Sequence, residues 1–351
     1  MYKAAFLVTF TFAISASVCA QSIDLDPESE TSPNEKPASA SPVKKITQNK
    51  ALATDPSLDI SRLSYFPHRN IFLANTRLTY PLANTSDAIA TKARIQVETK
   101  TATDSVSFES GLSYGINDWL RFVAKESFLM TSGSFSNIPP GTTYSETYSQ
   151  GPSDPSFSLG ARLLDPHTLG FSSDIFFWVS PSTSTHFSGK PGQLGDNYRG
   201  FSSTSVYLPI YWSQRANDIE LALSYTQTQA GESIGSTPAS SFTKSVNSFS
   251  TITVSDRLHF SKFYLQLGAD ITLPYQTEQI TEAPTAIKKT FNFPSIVTQK
   301  YVAGFRINSN ASIDAEFTYN NFILNMNTDE GTSSVSEQIN SFFSLHLMIE
   351  I

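Results

Sequence analysis

Apolar and polar residues alternate with a period of two in segments of about ten residues. In 263–273, Phe263, Leu265, Leu267, Ala269, Ile271 and Leu273 share one face, and Tyr264, Gln266, Gly268, Asp270 and Thr272 the other. In 297–307 the apolar face is Val297, Tyr301, Ala303, Phe305 and Ile307, broken only at Gln299. The last stretch sets Phe343, Leu345, Leu347, Ile349 and Ile351 against Ser344, His346, Met348 and Glu350. Successive side chains of a strand point to opposite faces, so this pattern predicts strands with one apolar side. Sustained helical periodicity is missing. After residue 20 no apolar run approaches the ~18 residues of a spanning helix.

Two features separate a membrane barrel from a soluble sandwich. The non-apolar face is polar throughout, as a wet lumen requires. The connections also alternate in length. Short turns are expected at 115–118, 165–168, 213–218, 256–261 and 308–311, and long loops at 131–155, 181–200, 229–245, 274–295 and 325–339. Short turns on one side and long loops on the other are a property of outer-membrane barrels. Pro181 and Pro274 stand just after strands, where a missing N–H does no harm.

The expected fold is therefore all-β, a transmembrane antiparallel β-barrel of twelve strands. These are 90–100, 105–114, 119–130, 156–164, 169–180, 201–212, 219–228, 246–255, 262–273, 296–307, 312–324 and 340–351. An even number puts both ends of the barrel on the periplasmic side. Residues 70–80 form a thirteenth candidate, assigned to the rim or lumen, and a fourteen-stranded barrel using 60–66 as well is the alternative. Two positions break the pattern. Glu126 falls on the apolar face of 119–130, where a carboxylate costs free energy unless a bulge or the headgroup region relieves it. Ile351 stands where barrels of this class commonly end in an aromatic residue.

The first twenty residues read as a cleaved secretory signal, with Lys3, an apolar stretch over 4–18, and small residues in Val18-Cys19-Ala20. An acylated Cys19 fits less well, because the preceding residues lack the leucine such a signal uses. Residues 21–68 are assigned to a disordered periplasmic leader and 69–351 to the barrel. The stretch up to about Pro56 is rich in Ser, Pro, Glu and Lys and has too few large apolar residues to offset its chain entropy.

Composition narrows the function. The chain of 351 residues is 16% charged with a net charge of -7. Such an acidic, charge-poor chain lacks the basic footprint of a nucleic-acid binder. One cysteine excludes a disulfide scaffold and a cysteine zinc site. The five histidines, His68, His167, His186, His259 and His346, show no spacing that certifies a catalytic relay or a metal site. No catalytic residue, metal or cofactor is expected.

Lumen-facing candidates are Glu109, Arg121, Lys125, Arg162, Asp174, Phe176, Trp178, Lys300, Arg306, Asp314 and Glu316. The turn at 115–118 sets Glu109 opposite Lys125 and Ser113 opposite Arg121. The turn at 308–311 sets Arg306 opposite Asp314, with Glu316 diagonal, and Arg162 and Asp174 fall diagonally across their hairpin. Mixed signs favour pairs that brace a narrow lumen, since a pore selecting one ion sign shows a ring of one charge. Phe176 and Trp178 are placed near the long-loop mouth, either as a docking surface for an apolar solute or as packing.

The stretch Gly151-Pro152-Ser153-Asp154-Pro155-Ser156, followed by Phe157, Leu159, Gly160 and Arg162, resembles outer-membrane proteins grouped under the meta-pathway of phenol degradation. Tyr114-Gly115-Ile116-Asn117-Asp118-Trp119-Leu120 has the same strand, turn, strand character. The resemblance spans 105–273 and rests on strand-and-turn motifs. It implies an outer-membrane barrel that passes small hydrophobic or aromatic compounds, with membrane lipid and a small-molecule solute as partners. Tyr65-Phe66-Pro67-His68 is faintly similar to the start of outer-membrane phospholipases, whose Tyr-Asn-His-x-Ser-Asn-Gly motif this chain lacks. The leading expectation is a passive channel. The alternatives are a structural barrel that binds partners through its outer loops, and a lipid hydrolase.

Overall fold

The computed structural model describes residues 59–92, 95–138, 145–152, 154–164, 171–182, 194–195, 202–214, 216–233, 242–281 and 286–351. Twelve antiparallel strands close on themselves. They are β1 (Phe72–Lys92), β2 (Ile95–Asn117), β3 (Leu120–Ile138), β4 (Ser156–Leu164), β5 (Phe171–Ser180) and β6 (Ser203–Ser213). The second half is β7 (Asn217–Thr228), β8 (Asn247–Phe260), β9 (Phe263–Thr272), β10 (Ile296–Asn308), β11 (Ala311–Thr328) and β12 (Ser333–Glu350). Each pairs with the next, and β12 returns to β1 in a ladder from Leu73 opposite Glu350 to Thr91 opposite Ser333. Phe72 and Ile351 exchange backbone hydrogen bonds, so the barrel begins and ends at the short-turn end.

Side chains are arranged inside out relative to a water-soluble protein. On β7, Leu221, Leu223 and Tyr225 are about half exposed on the outer face, while Glu220 and Ala222 are buried on the inner one. Among the described residues the same division recurs on every side: buried Ser, Thr, Asp and Arg within, exposed Leu, Ile and Phe without. Only an apolar solvent outside makes that favourable, because exposed apolar surface in water costs about 25 cal/mol per Å². Outward aromatic pairs gird the short-turn end: Phe72 with Tyr114, Phe171 with Trp212, and Phe263 with Phe305. Rings at that depth mark the membrane interface.

The twelve strands are not quite the twelve read from the pattern. Residues 70–80, set aside as a thirteenth candidate, belong to the lower part of β1, while 90–100 straddles the β1–β2 hairpin and 105–114 is the lower part of β2. The fourteen-strand alternative fails because 60–64 form turns. The segments read as long loops at 131–155 and 325–339 are largely hairpin. β3 runs on to Ile138 and is met by a returning strand over Ser145–Pro152, and β11 and β12 are joined by a turn at 329–332. A spanning strand needs about 9–11 residues. β1 has 21 and β2 has 23, so both extend far beyond the bilayer. Beyond the lipid neither face must be apolar, which is why alternation fades there and the sequence reads as loop.

One further hairpin feature shapes the interior. The β9–β10 hairpin continues past Pro274 and Pro294 as Tyr275–Thr281 paired with Ile287–Phe293. This extension pairs with Phe242–Lys244 on one side and with β11 on the other. Glu126 does face outward and is exposed, and it lies between the rungs that β3 makes at Lys125 with Ser156 and at Phe128 with Pro152. The signal at 1–20 and residues 21–58 of the leader lie outside the described residues. The border at 68/69 does not hold: residues 59–71, ten of them assigned to the leader, are folded into the barrel.

Candidate functional site

The lumen changes character along its length, from a closed base through a belt of paired charges to an aromatic mouth. At the short-turn end it is filled by residues 59–71. Ile60, Ser64 and Phe66 are almost wholly buried, and Ile60, Tyr65 and Leu73 form a small apolar cluster with Met348 against it. The segment makes a series of turns instead of a strand, and this turns its backbone carbonyls and side chains toward the wall. Arg62 reaches Asp218 at 3.0 Å and the Gln214 carbonyl at 2.8 Å. The Leu63 N–H donates to the other Asp218 oxygen, which His259 Nε2 also meets at 2.9 Å. Asp59 pairs with Arg306, the Ser61 carbonyl accepts from Arg257, and the Ser64 carbonyl accepts from Arg162. The Tyr65 hydroxyl donates to Glu350 at 2.7 Å. Burial, reinforced by that carboxylate, pushes the Tyr65 phenol far above its ordinary value and keeps it a neutral donor.

Phe66 anchors the plug. The guanidinium carbons of Arg121 and Arg162 lie 4.9 and 4.7 Å from its ring centroid. Cations over an aromatic face are attracted by the ring quadrupole, most strongly where water is excluded. The chain leaves the plug at Gly115, where the Asn70 N–H donates to the Gly115 carbonyl and the Gly115 N–H to the Ile71 carbonyl. A Cβ there would run into the His68 carbonyl. The glycine is required by the close approach of two backbones.

Above the plug, charges of both signs are paired. Arg162 and Asp174 lie directly opposite each other and bond at 3.0 Å, one step closer than the diagonal expected. Glu109 and Lys125 meet at 3.2 Å as neighbours on a diagonal, because β2 and β3 pair Gly111 with Lys125. The hairpin turns later than 115–118, at 118–119, which slides the register by two residues and puts Gly115 opposite Arg121 in place of Ser113. The expected Arg306–Asp314 pair does not form. Arg306 stands opposite Ser312 and reaches down to Asp59, while Asp314 accepts from Tyr264 at 3.0 Å and faces His346 at 3.4 Å. Glu316 pairs across β12 with Arg77 at 2.6 Å, and Lys300 pairs with Asp270 at 2.6 Å.

Several lumen groups were not singled out by sequence: Arg77, Asp218, Glu220, Arg257 and Asp270. Glu220 accepts from Tyr207 and from Ser255, and Arg257 is bound by Gln266. The alternation marks all five as inward, so the polar face of each strand was the usable signal. Pairing across distant strands was not, because it needs the closed register. His68 lies 3.5 Å from the exposed Asp118, while His167 and His186 fall outside the described residues.

The aromatic pair Phe176 and Trp178 behaves differently from a mouth. Phe176 is 3% exposed, held between Arg121 at 4.2 Å and Tyr207 at 6.1 Å between centroids. A Cβ at Gly160 would strike its ring. Phe176 is packing. Trp178 lies beside it, with Lys125 Nζ 5.4 Å from its ring. The aromatic surface of the long-hairpin end lies on other strands. Phe249 meets Tyr275 at 5.1 Å, Tyr275 stacks on Phe293 at 4.4 Å with planes 3° apart, and Phe293 approaches Phe322 at 6.4 Å. Phe249 shares its face with Asn247, Thr251 and Ser255, and Phe322 shares its face with Asp314 and Glu316, so the ladder looks into the lumen.

No protein-family model matches the chain, and no curated protein matches it in sequence. Comparison with solved structures finds its architecture again. The COG4313 outer membrane channel from Pseudomonas putida F1 aligns with a TM-score of 0.54 at 11% identity, covering 84% of this chain and 100% of its own. The transport unit of the autotransporter AIDA-I from Escherichia coli aligns at 0.44, with 10% identity over 86% of this chain and 96% of its own. The outer membrane protease OmpT from the same organism aligns at 0.39, with 11% identity over 80% and 97%. At 11% identity the likeness to the COG4313 channel is one of fold alone, an outer-membrane β-barrel, and the other two alignments are too loose to add to it.

Proposed function

We propose that the chain is a channel of the Gram-negative outer membrane, exported through a signal cleaved after Ala20, that lets small hydrophobic or aromatic compounds pass passively. The Phe249–Tyr275–Phe293–Phe322 ladder carries this reading, because it offers an apolar reception surface at the end of the barrel away from the termini. Below it the lumen is polar and carries charges of both signs, many of them paired, so among the described residues it presents no ring of one sign that would select an ion. Residues 59–71 close the exit and must be displaced for passage. This reading agrees with what the meta-pathway resemblance implies and assigns the chain no catalytic step and no cofactor.

Vesicles whose outer leaflet carries lipopolysaccharide, which resists apolar solutes, provide the test. Reconstituted protein should speed entry of a labelled monoaromatic compound well above empty vesicles, while entry of a sugar of similar mass rises little. Equal entry with and without protein would overturn the proposal.

A further inference from the structure

Contacts between cations and rings descend one side of the lumen, along β3, β4 and β5. Higher up, Lys125 Nζ lies 5.4 Å from the centre of the Trp178 ring. Lower down, the guanidinium carbon of Arg121 lies 4.2 Å from the centre of Phe176 and 4.9 Å from that of Phe66. Arg162 lies 4.7 Å from Phe66 in turn. The register accounts for the lower contacts. Arg121, Gly160 and Phe176 stand in one row across the three strands. Glycine puts no side chain between the other two, and a Cβ there would strike the Phe176 ring and crowd Arg121 Cγ. Lys125 and Arg162 also keep acids of their own, Glu109 at 3.2 Å and Asp174 at 3.0 Å. Arg121 Nε, by contrast, is buried and makes no hydrogen bond.

Trp178 and Phe176 belong to the wall, on β5. Phe66 does not. It comes from the turns of residues 59–71, and its buried ring fills a slot whose sides, Arg121 and Arg162, stand on fixed strands. A cation attracts the electron-rich face of any ring, most strongly where water is excluded. The two arginines therefore act on a free arene as they act on a phenylalanine. Resting on the channel reading above, we propose that the Arg121–Arg162 slot is a binding site for an electron-rich aromatic ring, and that Phe66 holds this place in the closed barrel. An arene enters the slot only when Phe66 is out of it, so its binding shifts residues 59–71 toward the displaced state. The permeating compound thereby releases its own exit. An aliphatic solute of the same size gains nothing from the guanidinium groups and has no such effect.

Three ethers of similar shape separate ring electrons from bulk: anisole, pentafluoroanisole, whose ring face is electron-poor, and methoxycyclohexane, which has no π system. In planar bilayers holding the full chain, anisole should raise the open probability several-fold, at concentrations where the other two do little. Equilibrium dialysis of nanodiscs, against empty discs, should show Phe66→Leu binding anisole about tenfold tighter than the parent, because the competing ring is gone. Leucine still fills space there, so this gain is not the filling of an empty cavity. Arg121→Met should abolish the advantage of anisole over methoxycyclohexane, and Arg121→Lys should keep part of it. If the three ethers act alike, or Phe66→Leu binds anisole no better than the parent, the slot is not a ring site and the channel reading stands. If Phe66→Leu binds anisole selectively while the vesicles stay tight to the monoaromatic compound, the channel reading falls and the slot remains.

Discussion

Exchanging Asp59–Phe66 for a Gly/Ser stretch of equal length should raise single-channel conductance in planar bilayers several-fold. These residues fill the base of the lumen: Ile60 and Phe66 are 2% and 1% exposed. The exchange removes the Asp59, Arg62 and Phe66 contacts to Arg306, Asp218 and the pair Arg121 and Arg162. The barrel should still form, since its twelve ladders involve none of those residues, and the groups left behind become hydrated as water enters. A milder change, Phe66→Ala, should give flickering openings, because the ion pairs at Asp59 and Arg62 still hold the segment. Unchanged conductance in the exchanged protein would mean that the segment does not obstruct the path.

The second large effect is on stability. Arg162→Met should lower the stability of the barrel by about 3–5 kcal/mol, read as the urea midpoint in detergent micelles. Arg162 and Asp174 are 8% and 1% exposed, so the variant strands a buried carboxylate. It also leaves the Ser64 carbonyl without its donor and Phe66 without one of its two cations. Adding Asp174→Leu should restore most of the loss, since replacing a whole buried pair by apolar groups costs far less than breaking it. A single variant as stable as the parent would show that water reaches Asp174 freely and that the base of the lumen is looser than its contacts imply. Because Arg162 holds both the wall and the plug, the same variant should also conduct more.

The pattern of the chain was enough for the barrel, because lipid outside and water inside impose opposite demands on successive residues. Leu221, Leu223 and Tyr225 against Glu220 and Ala222 illustrate the rule. It failed where one of those solvents is absent. Above the bilayer, Ser86, Ser336 and Gln338 hydrogen-bond to one another in a regular ladder, yet their surroundings impose no alternation. Residues 59–71 were illegible for a related reason. Their partners, Asp218, Arg257 and Arg306, lie some 150 to 250 positions away, and nothing local distinguishes a short polar segment inside a lumen from one in solvent.

The lumen charges were legible as a set and not as pairs. Arg162 and Asp174 share a hairpin and found each other, whereas Arg306 was drawn to Asp59 and Glu316 to Arg77 across the closed sheet. Phe176 was visible as an inward aromatic, but Gly160 and Arg121 decide that it packs. The ladder at the mouth was hidden because the face of the β9 strand flips at Pro274. This turns Tyr275 inward, where the alternation of 263–273 assigns it outward.

The inside-out arrangement itself can be read one residue at a time along β7. Cleavage after Ala20 removes Cys19, the one cysteine, so a bimane fluorophore is placed on single cysteines introduced at positions 221 to 226 of the mature protein, and the barrel is reconstituted in vesicles of brominated lipid. Quenching should alternate: strong at 221, 223 and 225, weak at 222, 224 and 226, with a water-soluble quencher giving the opposite phase. Quenching by lipid that ignores this parity, or that peaks at 222, 224 and 226, would contradict a barrel whose polar face lines the lumen.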